Sequence, residues 1–335
     1  MTAPGPAPVL VTGGSGFIGG ALVDALAAAG RPVRALARTP AAAQAVAARG
    51  AEPVTGDVLD TDSLIQAMAG CPVVYHAAGV NAFCLPDPRP MERANVDGSA
   101  NVIAAAAAAG VGKVIYTSSA ATIGEVHGTV GREDSPHRGS FLSEYERTKY
   151  LAEQRVLHDA AELDVDVVCV NPSSVQGPGR LHGTARLLLS YLNGTMKFLV
   201  DTRISFLDIA DCTAGHLLAE QHGKPGERYI LNGGTFTTRE LIGIVTRTTG
   251  INRRVRWLPG QAAMAAAVVV GAGARAARRK PPICREMMRT VLNGHNYDGS
   301  RAERELGLHY TPVDETIART LRWYEENGYL TADRR

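Results

Sequence analysis

Apolar residues in the first half of the chain follow two alternating patterns. Short apolar runs typical of buried strands occupy residues 8–12, 32–37, 52–55, 72–76, 113–118 and 165–171. Between them, apolar residues recur every three or four positions, which predicts helices over residues 16–30, 39–49, 61–69, 89–109 and 143–162. Strands that alternate with helices of this length form βαβ units. The pattern therefore predicts an α/β fold with a doubly wound parallel sheet covered by helices on both faces.

The pattern changes after residue 171. Residues 172–203 are rich in Gly, Pro and polar side chains, and the next long apolar segment spans residues 206–220. We therefore predict one sheet domain over residues 1–171. Residues 172–335 are expected to form a smaller, partly interleaved region that binds the substrate and covers the carboxyl edge of the sheet, with residues 206–219 returning to the main core.

Composition and charge exclude several classes of protein. The 335 residues are 45% hydrophobic and 20% charged, with a net charge of +2, which excludes a disordered chain and a strongly basic nucleic-acid binder. The apolar stretch 262–274 is followed by Arg275, Arg278, Arg279 and Lys280. It is shorter than the roughly 20 residues needed to span a bilayer. We expect a packed helix or lid segment, with a membrane-surface helix as the alternative.

The cysteines show no spacing typical of a metal site. They are Cys71, Cys84, Cys169, Cys212 and Cys284, and no two of them form a CxxC pair. An odd number of isolated cysteines favours reduced, mostly buried thiols. We therefore predict a cytoplasmic protein without a metal centre.

A glycine-rich loop lies between the first strand and the first helix. Gly13, Gly16 and Gly19 form a G-x-x-G-x-x-G pattern, in which the first two glycines let the backbone approach a pyrophosphate and the third lets helix and strand pack closely. The N–H groups at the start of the helix favour bound phosphate. Because the motif follows a strand and opens a helix, it predicts a dinucleotide site in residues 1–171. The loop contacts are expected from Gly13, Ser15, Gly16, Phe17, Ile18 and Gly19.

The end of the second strand indicates which cofactor is bound. NAD sites usually place an acid about 20 residues after the glycine motif, but no acid occurs between Asp24 and Glu52. Arg38 follows the strand, and a guanidinium there would accept the 2′-phosphate of NADP. We therefore favour NADP over NAD. Asp57 is expected to bind the adenine amino group, with a turn-capping role as the alternative. Further cofactor contacts are expected from Val58, Ala77, Ala78 and Gly79.

Tyr145 and Lys149 form a Y-x-x-x-K pair on the predicted helix 143–162. Residues four apart share one helix face, so an ammonium there is expected to lower the pKa of the tyrosine and fit it for proton transfer. The fifth strand ends in the run Tyr116-Thr117-Ser118-Ser119. A serine at that edge is placed to hydrogen-bond a carbonyl oxygen beside Tyr145.

Taken together, these motifs resemble those of the extended short-chain dehydrogenase/reductases, the NAD-dependent epimerase/dehydratase superfamily. The motifs are TGGSGFIG at 12–19, the TSS run before Ala120, YERTK at 145–149 and NPSSVQGPG at 171–179. The segments FLDIADCTAGHLLA at 206–219, ERYILNGG at 227–234 and the closing NGYL are similar to one branch. That branch contains dihydroflavonol reductases, 3β-hydroxysteroid dehydrogenases and hopanoid-associated sugar epimerase-like proteins.

The resemblance implies a Rossmann-type fold and a role for each motif. Tyr145 would be the acid/base, Lys149 would bind the nicotinamide ribose, and Ser119 would orient the substrate oxygen. Asn95 would support the helix or a proton relay. Pro172 to Val175 would line the nicotinamide, so Pro172 and Val175 join the expected cofactor contacts. The family also implies a homodimer.

The substrate pocket is expected from residues 80–85, 122–126 and 176–206. Phe83, Leu85, Leu188, Tyr191 and Phe198 suggest an apolar substrate, and ordinary core packing is the equal alternative for these side chains. The predicted substrate contacts are Phe83, Ser119, Ala121 and Tyr191.

Three functions remain open at this point. The favoured one is an NADP-dependent ketoreductase or alcohol dehydrogenase acting on a small or medium organic carbonyl. A nucleotide-sugar epimerase or dehydratase with tightly bound NAD is the second. It would need a diphosphate clamp, for which Arg180, Arg186, Arg203 and Arg239 are available, and Ile123 and Asp208 depart from its usual Tyr and His. The third is a non-catalytic dinucleotide-sensing protein. No nucleic-acid partner and no membrane span are expected.

Overall fold

The computed structural model describes residues 6–330, in which strands and helices alternate through the first half. The strands are β1 (Val9–Thr12), β2 (Val33–Ala37), β3 (Glu52–Thr55), β4 (Val73–His76), β5 (Lys113–Thr117), β6 (Val167–Pro172), β7 (Ser174–Gln176), β8 (Phe198–Leu199), β9 (Arg203–Asp208), β10 (Arg228–Leu231), β11 (Gly234–Thr237) and β12 (Arg256–Trp257). The helices are α1 (Phe17–Ala28), α2 (Pro40–Ala47), α3 (Thr61–Met68), α4 (Arg89–Glu92), α5 (Gly98–Ala109), α6 (Glu144–Glu162), α7 (Ala185–Leu192), α8 (Ile209–His222), α9 (Thr238–Thr249), α10 (Gly260–Ala276), α11 (Arg285–Asn293), α12 (Ser300–Leu306) and α13 (Val313–Glu326).

Seven strands form one sheet in the order β10-β6-β5-β4-β1-β2-β3, and each neighbouring pair is parallel. Successive strand residues point to opposite faces, so the core divides in two. On one face Leu22 of α1 and Cys212 of α8 pack against the sheet, and on the other Leu64 of α3 and Val156 of α6 do so. The predicted doubly wound α/β fold of Rossmann type is confirmed.

The helix predicted over residues 89–109 is interrupted. It begins as α4, passes through a π-helical turn at Arg93–Asp97 and continues as α5 to Gly110, whose φ of +68° ends it. A π turn inserts one residue into the helical register and rotates the side chains around it. The turn contains Asn95, which is buried.

The second half completes the sheet and adds a smaller layer. β10 pairs with β6 at the sheet edge, and α8 packs beside α1. β7, β9 and β11 form a separate three-stranded sheet. Beside it, α7, α9 and α13 enclose a third core that includes Tyr191, Ile244, Ile317 and Tyr324.

Two of the five cysteines are bonded to each other, so the prediction of reduced thiols throughout is wrong. Cys84, in the loop after β4, and Cys284, at the start of α11, form a disulfide across 200 residues of sequence. Cys71, Cys169 and Cys212 are free and buried, as expected. Spacing along the chain could not indicate the pair, because only the folded topology brings the two segments together.

A buried carboxylate joins four elements of the main domain. Glu153 of α6 has no exposed surface. It forms an ion pair with Nη1 of Arg228 in β10 at 3.0 Å, and it accepts hydrogen bonds from Thr122 at 3.1 Å and from Nδ2 of Asn171 in β6. A buried charge is tolerated only when such partners satisfy it.

Loss of the ion-pair partner should therefore be costly. We expect Arg228→Met to lower the free energy of unfolding by about 3 kcal/mol or more, because Glu153 is left buried without its cation. The matched control is Arg155→Met on the same helix, whose ion pair with Asp159 is on the surface. The control should cost less than about 1 kcal/mol. Urea unfolding of both variants measures the difference, and equal losses would contradict the prediction.

Candidate active site

The carboxyl ends of six neighbouring parallel strands meet at one edge of the main sheet. Such an edge is where open α/β sheets bind ligands. The predicted positions at this edge are Gly13 after β1, Arg38 after β2, Asp57 after β3, Ala77, Ala78 and Gly79 after β4, Ser119 after β5 and Pro172 at the end of β6. The topology therefore brings together residues spread over 160 positions of sequence.

At Gly13 and Gly19 the glycine loop is folded so tightly that a side chain would clash with the backbone. Gly13 has φ +73°, and a Cβ there would lie 2.7 Å from the backbone nitrogen of Ala78. A Cβ on Gly19 would lie only 2.2 Å from the carbonyl oxygen of Gly13. Gly16 differs from these two glycines. A Cβ there would come within 4 Å of one atom only, the carbonyl oxygen of Gly13 at 3.2 Å.

The same loop leaves the start of α1 available to a ligand. Gly16 is the N-cap residue, and no side chain caps the helix. The first N–H groups of a helix need partners from outside it, and phosphate oxygens supply them well. Ser15 and Gly16 are exposed, while Phe17 and Ile18 are partly buried. The loop therefore fits the diphosphate of a dinucleotide.

Arg38 and Asp57 face each other beside this loop. One guanidinium nitrogen of Arg38 lies 3.8 Å from a carboxylate oxygen of Asp57, and the Arg38 side chain is 71% exposed. Asp57 also accepts a hydrogen bond from the N–H of Leu59, which is the turn-capping role left open by the sequence. Val58 packs near Gly98. The charge of Arg38 is thus available to an anion at the edge of the sheet.

Tyr145 lies in the first turn of α6, close to Ser119. Burial raises the pKa of the Tyr145 phenol above its ordinary value of 10.0, while a hydrogen bond with Ser119 and the positive charge of Arg180 lower it. The expected depression of the pKa by Lys149 is not what the structure shows, because burial dominates. Tyr145 is therefore a protonated acid at neutral pH.

Lys149 is buried and points to the last strand residues of β5. Its Nζ donates to the Thr117 carbonyl oxygen at 2.9 Å and to the Tyr116 hydroxyl at 3.0 Å. Burial lowers the pKa of Lys149 to about 8, and the charge of Glu153 one turn along the helix partly offsets this. The ammonium is held by hydrogen bonds at a fixed position beneath the edge of the sheet.

A chain of buried hydrogen bonds continues from Lys149 to the glycine loop. Tyr116 bonds to Ser99, Ser99 Oγ lies 2.9 Å from Nε2 of His76, and Nδ1 of His76 lies 2.7 Å from Oγ1 of Thr12. Burial lowers the pKa of His76 to about 3, so the imidazole is neutral. This chain of hydrogen bonds was not predicted from the sequence. Two strand sequences indicate it: VLVT and VVYH are apolar runs that each end in one polar residue, Thr12 and His76.

The π turn fixes Asn95 between two parts of the site. Its Oδ1 accepts from the Val80 N–H at 2.7 Å, and its Nδ2 donates to the Val80 carbonyl at 3.0 Å and to Thr148 at 3.0 Å. Asn95 thus connects the loop after β4 with Thr148 of α6, which lies between Tyr145 and Lys149 in the sequence.

Phe83 covers Tyr145 from the same loop. The two ring centroids are 6.2 Å apart. The adjoining Cys84 N–H donates to Glu286 Oε1 at 2.5 Å, and the Glu144 N–H donates to Glu286 Oε2 at 3.2 Å. The carboxylate therefore joins α11, the Phe83 loop and the start of α6, and the disulfide reinforces the same junction.

Arg180 approaches the site from the other side. Its guanidinium carbon lies 5.5 Å from the ring centroid of Phe17, and one guanidinium nitrogen donates to the Val175 carbonyl. Its charge lowers the pKa of Tyr145. In the sequence Arg180 is only one of four clamp candidates, and nothing in its spacing distinguishes it from the others.

The remaining predicted pocket residues lie in different surroundings. Ala121 follows Ser119 in a 3₁₀ turn, and its N–H donates to Ser119 Oγ at 3.3 Å. Tyr191 is 1% exposed in the third core, where its hydroxyl bonds to Thr246 and to the Arg253 N–H. Its packing is that of a core residue, the alternative that the sequence left open.

The glycine loop, the parallel sheet and the Tyr145–Ser119 pair at its edge are the features expected of a dinucleotide-dependent oxidoreductase. A sequence profile described as the NAD dependent epimerase/dehydratase family matches residues 9–232, and the chain belongs to that family.

Known relatives include both reductases and sugar-nucleotide enzymes. A putative dihydroflavonol 4-reductase of Synechocystis sp. is 33% identical over 333 residues, 96% of this chain and 95% of the relative. A 4-hydroxy-2-methyl-3-oxo-4-farnesyl-3,4-dihydroquinoline-1-oxide ketoreductase of Stigmatella aurantiaca is 34% identical over 261 residues, 77% of this chain and 78% of the relative. The structure of DesIV (dTDP-glucose 4,6-dehydratase) from Streptomyces venezuelae, with NAD and TYD bound, has a TM-score of 0.78 and 25% identity over 96% of this chain and 98% of that one.

The lowered pKa of Lys149 predicts a pH-dependent stability. Between pH 8 and 10.5 the unfolded chain binds the Lys149 proton and the folded protein does not, so the free energy of unfolding rises with pH. Relative to Lys149→Met, wild type should gain about 2–3 kcal/mol across this range. Urea unfolding of both proteins at several pH values measures the gain. A difference between them that stays constant with pH would contradict it.

Proposed function

We propose that this protein is an NADP-dependent ketoreductase or alcohol dehydrogenase that acts on an apolar organic carbonyl or alcohol. The observation that carries the proposal is Tyr145 beside Ser119 at the carboxyl edge of the sheet. A phenol with a raised pKa is a proton donor at neutral pH, which is the group that carbonyl reduction requires.

The residues at the sheet edge fit a bound dinucleotide. The glycine loop and the uncapped start of α1 would hold its diphosphate, and Arg38 would hold the 2′-phosphate that distinguishes NADP from NAD. Asp57 and Val58 would contact the adenine side. Ala77, Ala78, Gly79, Pro172 and Val175 would line the rest. When bound, the nicotinamide supplies the hydride that reduces the carbonyl carbon.

The protein's own residues would supply the proton and the orientation. Ser119 donates a hydrogen bond to the carbonyl oxygen, and Tyr145 transfers its proton to the same oxygen as the alcohol forms. The positive charge of Arg180, which lowers the pKa of Tyr145, would stabilise the resulting phenolate, and Lys149 would bind the nicotinamide ribose. In the oxidative direction Tyr145 accepts the proton of the alcohol. The hydrogen bonds from Lys149 to Tyr116 and Thr117 keep the ammonium in place throughout.

Phe83 and Arg180 suggest the chemistry of the substrate. Phe83 presents an aromatic ring over Tyr145, which favours an apolar group next to the reacting carbonyl. Arg180 brings one positive charge to the same space, and this favours a polar or acidic oxygen elsewhere on the substrate. The farnesylated quinolone named for the Stigmatella relative combines an apolar chain with such oxygens.

A nucleotide-sugar epimerase or dehydratase is the second candidate, because the DesIV fold covers almost the whole chain. Two of its four clamp candidates already bond to other parts of the protein, since Arg180 donates to the Val175 carbonyl. Arg239 forms an ion pair with Asp201 at 2.7 Å and lies over the Trp257 ring at 4.1 Å. An enzyme of this kind retains its NAD through purification, so an assay for bound NAD and for nucleotide-sugar turnover separates it from an exchanging reductase.

Removal of the Tyr145 hydroxyl tests the reaction. We expect Tyr145→Phe to lower kcat for NADPH oxidation against a panel of ketones by about 100-fold or more, with little change in cofactor affinity. Tyr150→Phe on the same helix is the matched control and should retain activity. Equal turnover in wild type and Tyr145→Phe would eliminate the mechanism. If wild type binds the cofactor but turns over nothing in the panel or among nucleotide sugars, the protein is a dinucleotide sensor.

The cofactor preference is tested separately at Arg38. Arg38→Ala should raise KM for NADPH about tenfold or more and leave KM for NADH nearly unchanged, because only NADPH carries the 2′-phosphate. Arg34→Ala is the control, since Arg34 lies on β2, four residues before Arg38, and pairs with Glu52. A wild type that uses NADH as well as NADPH would contradict the proposed specificity.

A further inference from the structure

Helix α10 exposes an apolar surface that neither the fold nor the reaction uses. Residues 262–274 contain only Ala, Val, Met and Gly. A helix that is apolar all round is normally buried on every side in a soluble protein. Here Ala263 and Ala267 are buried, whereas Val268 is 44%, Val269 is 71% and Val270 is 38% exposed. One face of α10 packs on the protein and the other faces outward.

Along the chain, the charged residues on both sides of this helix are all basic. Between Glu240 and Glu286 the chain contains nine Arg and Lys residues and no Asp or Glu. The net charge of the whole chain is only +2, so this segment is strongly basic and the remainder is net acidic. Arg278, Arg279 and Lys280 follow α10 directly, and all three are exposed.

The helix is also connected to the candidate active site. The start of α10 packs against α11, since a Cβ on Gly260 would lie 2.8 Å from a methyl carbon of Leu292. At its other end α11 begins beside Cys284, which is bonded to Cys84 next to Phe83. Packing and the disulfide therefore connect α10, through α11, to the loop that carries Phe83.

We propose that residues 262–280, the α10 surface, dock on a lipid bilayer with anionic headgroups. The exposed valines enter the boundary between headgroups and acyl chains, and Arg278, Arg279 and Lys280 bind the headgroup phosphates. Within residues 6–330, no helix is long and apolar enough to cross a bilayer, so the contact is with one surface of the membrane. The proposal is independent of the reaction assigned to Tyr145.

The charges favour a bilayer over a second copy of the chain. A symmetric contact between two α10 helices would place the same basic segment of both copies close together. Like charges oppose such an interface. An anionic bilayer instead offers an apolar interior to the valines and negative charge to the cations.

Vesicle sedimentation with the full chain tests the docking. We expect binding to vesicles of equal parts phosphatidylglycerol and phosphatidylcholine, weak binding to phosphatidylcholine alone, and a decrease as salt is added. Val269→Asp should weaken binding about tenfold or more, because it places a charge on the inserted face. Replacement of Arg278, Arg279 and Lys280 by Gln together should weaken it about 100-fold.

Matched controls separate docking from unfolding. Leu163→Asp changes an apolar residue that is 44% exposed at the end of α6, and Arg155→Gln removes an exposed cation there. Both should bind vesicles as wild type does, and the thermal transitions of all variants should agree. Absence of binding to anionic vesicles overturns the proposal, as does binding that either α10 variant leaves unchanged. A dimer that Val269→Asp dissociates, without vesicle binding, would assign the surface to a second copy instead.

Discussion

The position of α6 on the sheet depends on one buried charge. Glu153 has no access to solvent, so its carboxylate requires the Arg228 cation and the hydrogen bonds of Thr122 and Asn171 at the same time. These partners come from three separate elements, and all must be in place before the charge is stable. The same helix carries Tyr145 and Lys149. The geometry of the candidate catalytic pair is therefore set by an interaction that takes no part in the chemistry.

The strands of the main sheet and helix α6 contribute different groups to the candidate site. The parallel strands deliver small residues and single polar groups to one edge, where a long cofactor can lie across them. Helix α6 supplies the groups with proton chemistry. Burial raises the pKa of Tyr145 and lowers the pKa of Lys149, so both shifts have one cause with opposite effects on an acid and a base. At neutral pH the Tyr145 phenol is therefore protonated, while Lys149, with a pKa of about 8, still carries its charge.

Most of the fold and the centre of the site could be predicted from local patterns. Alternating strand and helix periodicity defined the sheet, and the glycine spacing and the Tyr145–Lys149 pair lie within single elements, where sequence distance determines spatial distance. The failures involved contacts between distant segments. The disulfide, the approach of Arg180 to Tyr145 and the chain from Lys149 to Thr12 depend on tertiary packing that no local pattern contains. The sequence also left two roles open for Tyr191, because an aromatic residue beside a pocket and one in a core have the same sequence pattern; the structure places it in the third core.

The disulfide also restricts the conformations that the unfolded chain can adopt. Because it joins residues 200 apart, the oxidised polypeptide is a large ring with two tails and never an open linear coil. Closure of a loop of that size removes conformational entropy from the unfolded ensemble, equivalent to about 5 kcal/mol by the chain-entropy relation. The ring contains three of the seven strands of the main sheet (β5, β6 and β10), the helix α6 that carries Tyr145, and α10. A bond next to Phe83 and the candidate site thus constrains more than half of the unfolded chain.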